Sequence, residues 1–384
     1  MIRGPAVLPL SGERLVAVYD LTGDEATVAQ RARAITYEQT VEFPADLLAA
    51  GAIADAVVGR VEALVRVGDA RWEARISYAL ESAGAELTQL LNLLFGNISL
   101  QPGIRLVDLE LPPGAAHAWG APRFGIAGLR ARLEVPGRAL LCTALKPMGL
   151  SPVELAELAH LFARGGMDII KDDHGLADQP FCRFEERLAR CTAAVARANI
   201  ETGSRALYAP NISGPAGEVL SRARLARQAG AGALLVAPGL VGFDAMRQIA
   251  ADDTIALPII SHPAWLGSFV TADAQGIAHG VIFGLLQRLA GADASIFPNH
   301  GGRFAFGIDD CRRIAAGCRR GFAGLPPIFP VPAGGMSLAR VPEMLQLYGR
   351  DVMLLIGGDL HRHGDLETTC RRFRAIIAPE AGQR

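Results

Sequence analysis

Short apolar runs alternate with amphipathic stretches along the chain from about residue 138 onward. Each run ends in Gly, Pro, Asn or Asp, and this alternation is typical of consecutive strand and helix units. Ser151, Pro152 and Glu154 form a capping-box pattern at the start of the first helix, which is predicted over 151–164. Eight strands are predicted in this way, at residues 139–146, 167–173, 206–213, 233–238, 257–262, 294–299, 327–333 and 352–357.

Eight strand–helix units in about 240 residues match the size of an α/β (β/α)8 TIM barrel. Active sites in such barrels lie at the carboxyl ends of the strands. A doubly wound open sheet is the alternative architecture, but no GxGxxG sequence opens the first unit.

The first part of the chain has a different pattern, which predicts a smaller α+β domain over 1–120 ahead of a barrel domain over 121–384. A Pro/Gly-rich segment at 112–125 provides the linker. The strands of the first domain are predicted at 15–19 and 75–78, and its helices at 25–35 and 85–94.

Composition narrows the class of protein. Half of the 384 residues are hydrophobic, a fifth are charged and the formal net charge is -1, which excludes a disordered chain. Without a basic stripe or an acidic tail, neither nucleic acid nor a membrane is expected as a partner. No apolar run reaches the roughly 18 residues that span a bilayer, so a cytoplasmic protein is expected. The six cysteines form no CxxC pair and are expected to be buried thiols.

The basic residues are divided very unevenly between two types. The chain has 36 arginines but two lysines, Lys146 and Lys171. Arginine keeps its proton in proteins, whereas lysine can become a neutral amine that acts as a base, adds to a carbonyl or captures CO2 as a carbamate. Both lysines fall at the carboxyl end of a predicted strand and are therefore catalytic candidates, with retention by chance as the alternative.

The second predicted strand ends in Lys171-Asp172-Asp173-His174. Strand alternation places Lys171 and Asp173 on one side and Asp172 on the other. A carbamate on Lys171, together with Asp173, would offer oxygen ligands for Mg2+, while a plain ion pair is the alternative. His174 is a third metal ligand, a proton carrier or a neighbour of the site, since imidazole suits zinc or iron better than magnesium.

Loops after four other strands add further candidates. Gly-Gly pairs follow the seventh and eighth strands, at 334–335 and 357–358, where barrels commonly bind phosphate through backbone N–H groups. His262 and His300 follow the fifth and sixth strands and are candidates for substrate contact or proton transfer, with packing histidines as the alternative.

Three segments resemble the RuBisCO large-subunit superfamily: 141–151 (LCTALKPMGLS), 165–174 (GGMDIIKDDH) and 179–183 (QPFCR). The two lysine-bearing segments are the most specific. Similarity extends to shorter segments along most of the chain, at 38–40, 96–97, 262–263, 332–335 and 357–358.

The resemblance implies a ferredoxin-like α+β domain, a C-terminal barrel, and a head-to-tail homodimer whose active sites lie between subunits. It implies that Lys171 is the carbamylated Mg2+ ligand, that Asp173 is a second ligand with His174 in the third position, and that Lys146 moves protons or stabilises an enolate. Glu38 and Asn97 would arrive from the N-terminal domain of the partner subunit. The other implied contacts to substrate or its phosphate are His262, His300, Arg303, Gly334, Gly335, Gly357 and Gly358.

Departures from the family pattern argue against CO2 fixation. Met148 stands where carboxylating members have a second lysine, and the loop after the sixth strand has Arg303 and no lysine. His174 replaces a carboxylate, and Ala333 replaces a hydroxyl residue. The chain is therefore identified as similar to RuBisCO-like proteins of form IV type, which retain enolate chemistry.

Two enolate reactions of a phosphorylated substrate follow as expectations. Because His174 removes a negative charge beside the metal, a substrate with its own carboxylate is favoured, and decarboxylation of a 3-oxo-acid phosphate such as 3-oxo-isoapionate 4-phosphate is the leading prediction. The second is isomerisation or tautomerisation of 5-methylthioribulose 1-phosphate or a related methionine-salvage intermediate. A catalytically silent binding homologue and a Schiff-base aldolase that uses Lys146 remain as alternatives.

Overall fold

The computed structural model describes residues 7–362 and 364–378. Its strands are β1 (Arg14–Thr22), β2 (Arg60–Gly68), β3 (Arg71–Ala79), β4 (Ile104–Glu110), β5 (Leu140–Leu145), β6 (Ile169–Asp172), β7 (Leu207–Ala209), β8 (Leu234–Val236), β9 (Ile259–Ser261), β10 (Gly276–Ile277), β11 (Ala294–Pro298), β12 (Phe329–Ala333) and β13 (Met353–Ile356). Its helices are α1 (Glu25–Glu38), α2 (Leu87–Phe95), α3 (Gly125–Leu133), α4 (Pro152–Arg164), α5 (Phe184–Thr202), α6 (Val219–Gln228), α7 (Pro238–Val241), α8 (Phe243–Ala251), α9 (Leu286–Leu289), α10 (Ile308–Arg319), α11 (Val341–Tyr348) and α12 (Leu366–Ile376).

Eight parallel strands form the barrel, in the order β7-β6-β5-β13-β12-β11-β9-β8. A parallel bridge between Asn211 and Leu235 joins the two ends of this sheet and closes it. The lumen is filled by apolar residues from alternate strand positions, among them Cys142, Ile169 and Val331. All eight predicted strands are confirmed, and each is one to five residues shorter than predicted because the predicted ranges include flanking residues.

The predicted capping box at the start of α4 is present. Ser151 Oγ accepts a hydrogen bond from the Glu154 N–H at 3.3 Å, and Glu154 Oε2 accepts one from the Ser151 N–H at 2.8 Å. These bonds satisfy backbone donors that a helix leaves unpaired at its first turn. The helix then buries Leu155, Ala159 and Phe162, so the loop after β5 leads into a firmly packed element.

A second sheet forms the N-terminal domain, in the order β10-β4-β1-β3-β2. Its neighbouring strands are antiparallel except for β10, which runs parallel to β4. Helix α1 packs on β1, β2 and β3, and α2 contributes Leu87 and Leu90 to the same core. The two predicted strands and two predicted helices are confirmed, whereas β2, β4 and β10 were not predicted.

The fold therefore consists of a TIM barrel and a smaller α+β domain, as predicted. The strand β10 lies between β9 and β11 in the chain but belongs to the first sheet. All six cysteines are buried free thiols. Within residues 7–362 and 364–378, no helix is both long and apolar enough to cross a membrane.

Candidate active site

The carboxyl ends of β5, β6 and β9 bring five of the predicted residues together. Lys146 Nζ lies 2.7 Å from Asp173 Oδ2, and His174 Nδ1 lies 3.2 Å from Asp173 Oδ1. The rings of His174 and His262 are stacked, with their centroids 4.2 Å apart and their planes 13° from parallel. Lys171 lies near enough for its charge to act on His262. We refer to these five residues as the mouth cluster.

Asp172 holds the strand that carries the cluster. Its carboxylate is fully buried and points away from Asp173, as strand alternation predicts. It accepts hydrogen bonds from Arg187 Nε at 2.9 Å, from the Tyr208 hydroxyl at 2.7 Å and from the Asn211 N–H at 3.0 Å. These three bonds use most of the roughly four acceptor sites of the Asp172 carboxylate. They fix the end of β6 against α5 and β7.

Lys171 is buried, with 2% of its surface exposed, and its Nζ donates to the Asp172 carbonyl at 2.9 Å. Burial lowers the pKa of Lys171, and the nearby charge of Lys146 acts in the same direction. This environment increases the fraction of the neutral amine, which is the form that reacts with CO2.

Asp173 is held as a carboxylate. Burial alone would raise its pKa, but hydrogen bonds from His174, Lys146 and the Gly175 N–H outweigh burial and hold the pKa well below its usual range. The Gly175 N–H donates to Oδ1 at 2.9 Å. The cluster therefore presents a fixed negative charge held by three donors.

His262 is held neutral. Burial, and then the charge of Lys171, lower its pKa from 6.5 to about 2. Its Nδ1 accepts a hydrogen bond from the Ala264 N–H at 3.2 Å, so the proton of the neutral ring is assigned to Nε2. His262 can therefore donate a hydrogen bond from Nε2 to a substrate oxygen.

The donor set fits a magnesium ion only with a modified lysine. Within the described residues, no three His, Cys, Asp or Glu side chains are grouped to hold a metal. Asp173 supplies one ionised carboxylate, and a carbamate on the neighbouring amine of Lys171 would supply a second oxygen ligand. One or two carboxylate-type ligands, with substrate and water, are the usual environment of Mg2+. His174 Nδ1 lies 3.2 Å from Asp173 Oδ1, so this nitrogen is engaged with the carboxylate.

The two predicted Gly-Gly loops lie at the carboxyl ends of β12 and β13. A Cβ atom added at Gly334, Gly357 or Gly358 would meet nothing within 4 Å, whereas one at Gly335 would lie 3.1 Å from the guanidinium of Arg340. Gly334 and Gly335 have positive φ angles of 92° and 63°, which favour glycine. The open space beside Gly334, Gly357 and Gly358 leaves room for an anion near their backbone.

The loop after β11 carries His300 and Arg303. His300 Nε2 is buried, lies 3.5 Å from Glu343 Oε1 and has no hydrogen-bond partner within the described part of the chain. Arg303 is exposed, and its guanidinium lies 4.9 Å from the centre of the Phe304 ring. Within the described ranges, neither of these two predicted residues forms a hydrogen bond, an ion pair or a ring contact with the mouth cluster.

Glu38 and Asn97 lie in the N-terminal domain and bind each other, with Asn97 Nδ2 donating to Glu38 Oε1 at 3.0 Å. Their place in the active site of a partner subunit stays a prediction.

Sequence reasoning missed Asn211 and Arg340. Asn211 is buried at the end of β7, and its Nδ2 donates to the carbonyls of His174 and Leu176 at 3.0 Å each. It thereby fixes the loop that carries His174. Its position in the predicted strand 206–213 is the signal that points to it.

Comparison with known proteins assigns the chain to a family. Residues 125–300 match the family of the ribulose bisphosphate carboxylase large chain, catalytic domain. The chain is 44% identical to ribulose bisphosphate carboxylase-like protein 1 of Rhodopseudomonas palustris, covering 95% of this chain and 98% of that protein. It is 41% identical to 5-methylthioribulose-1-phosphate isomerase of Rhodospirillum rubrum, covering 96% and 97%.

The fold is similar as well. The crystal structure of a Rubisco-like protein from Rhodopseudomonas palustris superimposes with a TM-score of 0.87 at 44% identity, covering 97% of this chain and 99% of that chain. Together with the barrel, the second sheet and the two lysine-bearing strand ends, these similarities lead to one conclusion: the chain belongs to the RuBisCO large-chain superfamily and is a RuBisCO-like protein of form IV type.

Proposed function

We propose that this RuBisCO-like protein isomerises a phosphorylated pentulose of the 5-methylthioribulose 1-phosphate type through an enolate. The observation that carries the proposal is the mouth cluster, in which Lys146 and His174 flank the ionised carboxylate of Asp173 and a neutral His262 stacks on His174. The similarity to the isomerase of Rhodospirillum rubrum, which spans nearly both chains, supports this substrate class.

Mg2+ would be held by Asp173 and a carbamate on Lys171, and its chemistry would be to stabilise the negative charge of the enolate oxygens as a Lewis acid. The protein's own part is to keep the carboxylate of Asp173 ionised and the amine of Lys171 buried. Burial strengthens every electrostatic interaction with the substrate by excluding water.

Lys146 and His262 have separate roles in the proposed reaction. Lys146 is the group that moves the proton, since its Nζ projects from the end of β5 with its side chain 46% exposed, and so it is within reach of a bound ligand. His262 orients the substrate by donating from Nε2 to an oxygen. The stacked ring of His174 keeps His262 in place.

The phosphate of the substrate would bind to the backbone N–H groups of Gly334, Gly335, Gly357 and Gly358. These loops follow the seventh and eighth strands of the barrel, where phosphate commonly binds in this fold. His300 and Arg303 would contact the substrate from the neighbouring loop, and Arg303 would add a positive charge.

Decarboxylation of a 3-oxo-acid phosphate, such as 3-oxo-isoapionate 4-phosphate, is the second candidate. It is favoured by one observation, which is that an imidazole and an ammonium lie on either side of Asp173. With so little negative charge at the mouth, a substrate carboxylate would meet little repulsion. Met148 and Arg303, which stand where carboxylating members have lysines, argue against CO2 fixation in either case.

We further propose a homodimer in which Glu38 and Asn97 complete the active site of the partner subunit. The two side chains form a polar pair on the N-terminal domain, with Asn97 exposed and Glu38 half-buried, and their hydrogen bond leaves further donor and acceptor sites free for a substrate.

The test is turnover by the purified protein with Mg2+ and bicarbonate. Isomerisation is expected to convert 5-methylthioribulose 1-phosphate to a new phosphate ester, followed by phosphorus NMR, with exchange of a substrate proton for deuterium in D2O. CO2 release from 3-oxo-isoapionate 4-phosphate without isomerisation would favour the second candidate. Absence of both reactions would overturn the proposed function.

A further inference from the structure

Arg340 lies between the loop after β11 and the loop after β12. Its Nη2 donates to the His300 carbonyl at 3.1 Å, and its Nη1 donates to the Gly335 carbonyl at 3.0 Å. Its Nε donates to Glu343 Oε2 at 3.3 Å. One planar guanidinium thus bridges the backbone of the histidine loop and the backbone of a glycine loop.

The two loops fit closely around this guanidinium. A Cβ atom at Gly301 would lie 3.3 Å from Nη1 of Arg340, and one at Gly335 would lie 3.1 Å from the same atom and 3.2 Å from the Gly301 carbonyl oxygen. Both glycines have positive φ angles, of 70° and 63°. A side chain at either glycine would therefore crowd the guanidinium of Arg340 and strain the backbone.

The backbones of the loops also touch without Arg340. The Asn299 N–H donates to the Ala333 carbonyl at 2.9 Å, which continues the pairing of β11 with β12 by one residue. Beyond that bond the described chain shows one side chain that hydrogen-bonds to both loops, which is Arg340.

We propose that Arg340 is a positioning residue that holds the His300 loop and the Gly334–Gly335 loop as one unit, so that phosphate meets a preformed site. This inference rests on the proposed use of these loops for the substrate's phosphate. Arg340 acts through the two carbonyls, since each of its three nitrogens donates to a protein oxygen. Preorganisation of this kind strengthens binding because the loops lose no freedom when the anion arrives.

The test compares three variants by calorimetric titration with inorganic phosphate. Arg340→Gln removes both bridges and is expected to weaken phosphate binding by about ten- to hundredfold, as misplaced binding groups do. Arg340→Lys keeps the charge but cannot donate to both carbonyls in a fork, so it is expected to bind as weakly as Arg340→Gln.

Arg130→Gln is the matched control. Arg130 also bridges two loop carbonyls, those of Val135 and Arg138 at 2.9 and 2.8 Å, and it pairs with Asp351, but it lies at the amino end of the barrel strands. This variant is expected to bind phosphate with wild-type affinity.

Several results would overturn the inference. Phosphate affinity restored by Arg340→Lys would show that charge matters rather than bridging. Wild-type affinity in Arg340→Gln, equal loss in Arg130→Gln, or no phosphate binding by the wild-type protein would also overturn it. With an active wild-type enzyme, Arg340→Gln is expected to raise KM for the phosphorylated substrate much more than it lowers kcat. Lack of turnover by the wild-type protein would refute the proposed function, whereas the phosphate titrations decide the role of Arg340 independently.

Discussion

The imidazole rings of His174 and His262 are stacked almost parallel, with their centroids 4.2 Å apart. Two imidazolium ions at that separation would repel each other strongly, so this arrangement requires at least one neutral ring. Burial, and then the charge of Lys171, assign neutrality to His262 by lowering its pKa to about 2. Protonation of His262 would therefore disfavour the folded state, in which this ring is buried against His174.

The neutral His262 predicts a loss of stability in mild acid. In the unfolded chain its pKa returns to about 6.5, so below that pH the unfolded state binds a proton that the folded state does not. Stability therefore falls as the pH drops, by about 2 kcal/mol at pH 5.0. Urea unfolding at pH 7.5 and 5.0 gives the free energy of unfolding at each pH. Between the two, this free energy should fall by about 2 kcal/mol more for the wild-type protein than for His262→Asn.

His117→Asn, at an exposed position, is the control for this experiment and should show the same drop as wild type. An equally steep drop in His262→Asn would contradict the assignment of His262 as neutral.

Lys171→Arg is expected to abolish turnover, with a loss of about 10³-fold or more, because arginine forms no carbamate and keeps its proton. Steady-state turnover of the phosphorylated substrate measures the loss, and thermal melting checks that the variant folds. Lys171→Met, which is uncharged and of similar length, should lose as much activity. Activity retained in Lys171→Arg would refute the role of a carbamate.

Arg187→Met is expected to destabilise the fold by about 3–5 kcal/mol, because it leaves the buried carboxylate of Asp172 without its cation. Both side chains of this pair are fully buried. Arg190→Met is the matched control on the same helix, since Arg190 pairs with Glu186 at the surface, where ion pairs contribute about 0–1 kcal/mol. Equal effects of the two substitutions on denaturant unfolding would contradict this difference.

The proposed homodimer predicts complementation between two inactive variants. Lys171→Arg and Asn97→Ala would each inactivate a different half of a shared site. Random mixing of the subunits should restore about a quarter of wild-type activity, because half of the dimers are hybrids with one intact site each. A mixture that stays inactive after subunit exchange, shown by mass-tagged subunits, would place each site within one chain.

Much of the barrel could be predicted because its strands are buried on both sides and read as short apolar runs. The residues of the mouth cluster were predicted for the same reason, since Lys146, Lys171 and His262 stand at strand ends that converge in this fold. The orientation of Asp172 away from the site followed from strand alternation alone.

Other features depend on contacts that no local pattern contains. The strand β2 is largely exposed at the sheet edge, with Val65 54% exposed, and its hydrophobic pattern is therefore weak. The role of Arg340 arises from two loops that are more than 30 residues apart in sequence and meet only in the folded barrel. Nothing in the residues around Arg340 distinguishes it from the other arginines of the chain.

The two-residue strand β10 has a consequence for the order of assembly. The first sheet receives its last strand from Gly276–Ile277, where the Gly276 and Ile277 positions pair with Arg105 and Leu106. During synthesis, β4 remains an open edge until more than 150 further residues have left the ribosome. A polypeptide ending after the first domain would therefore expose pairing groups that invite association with other chains.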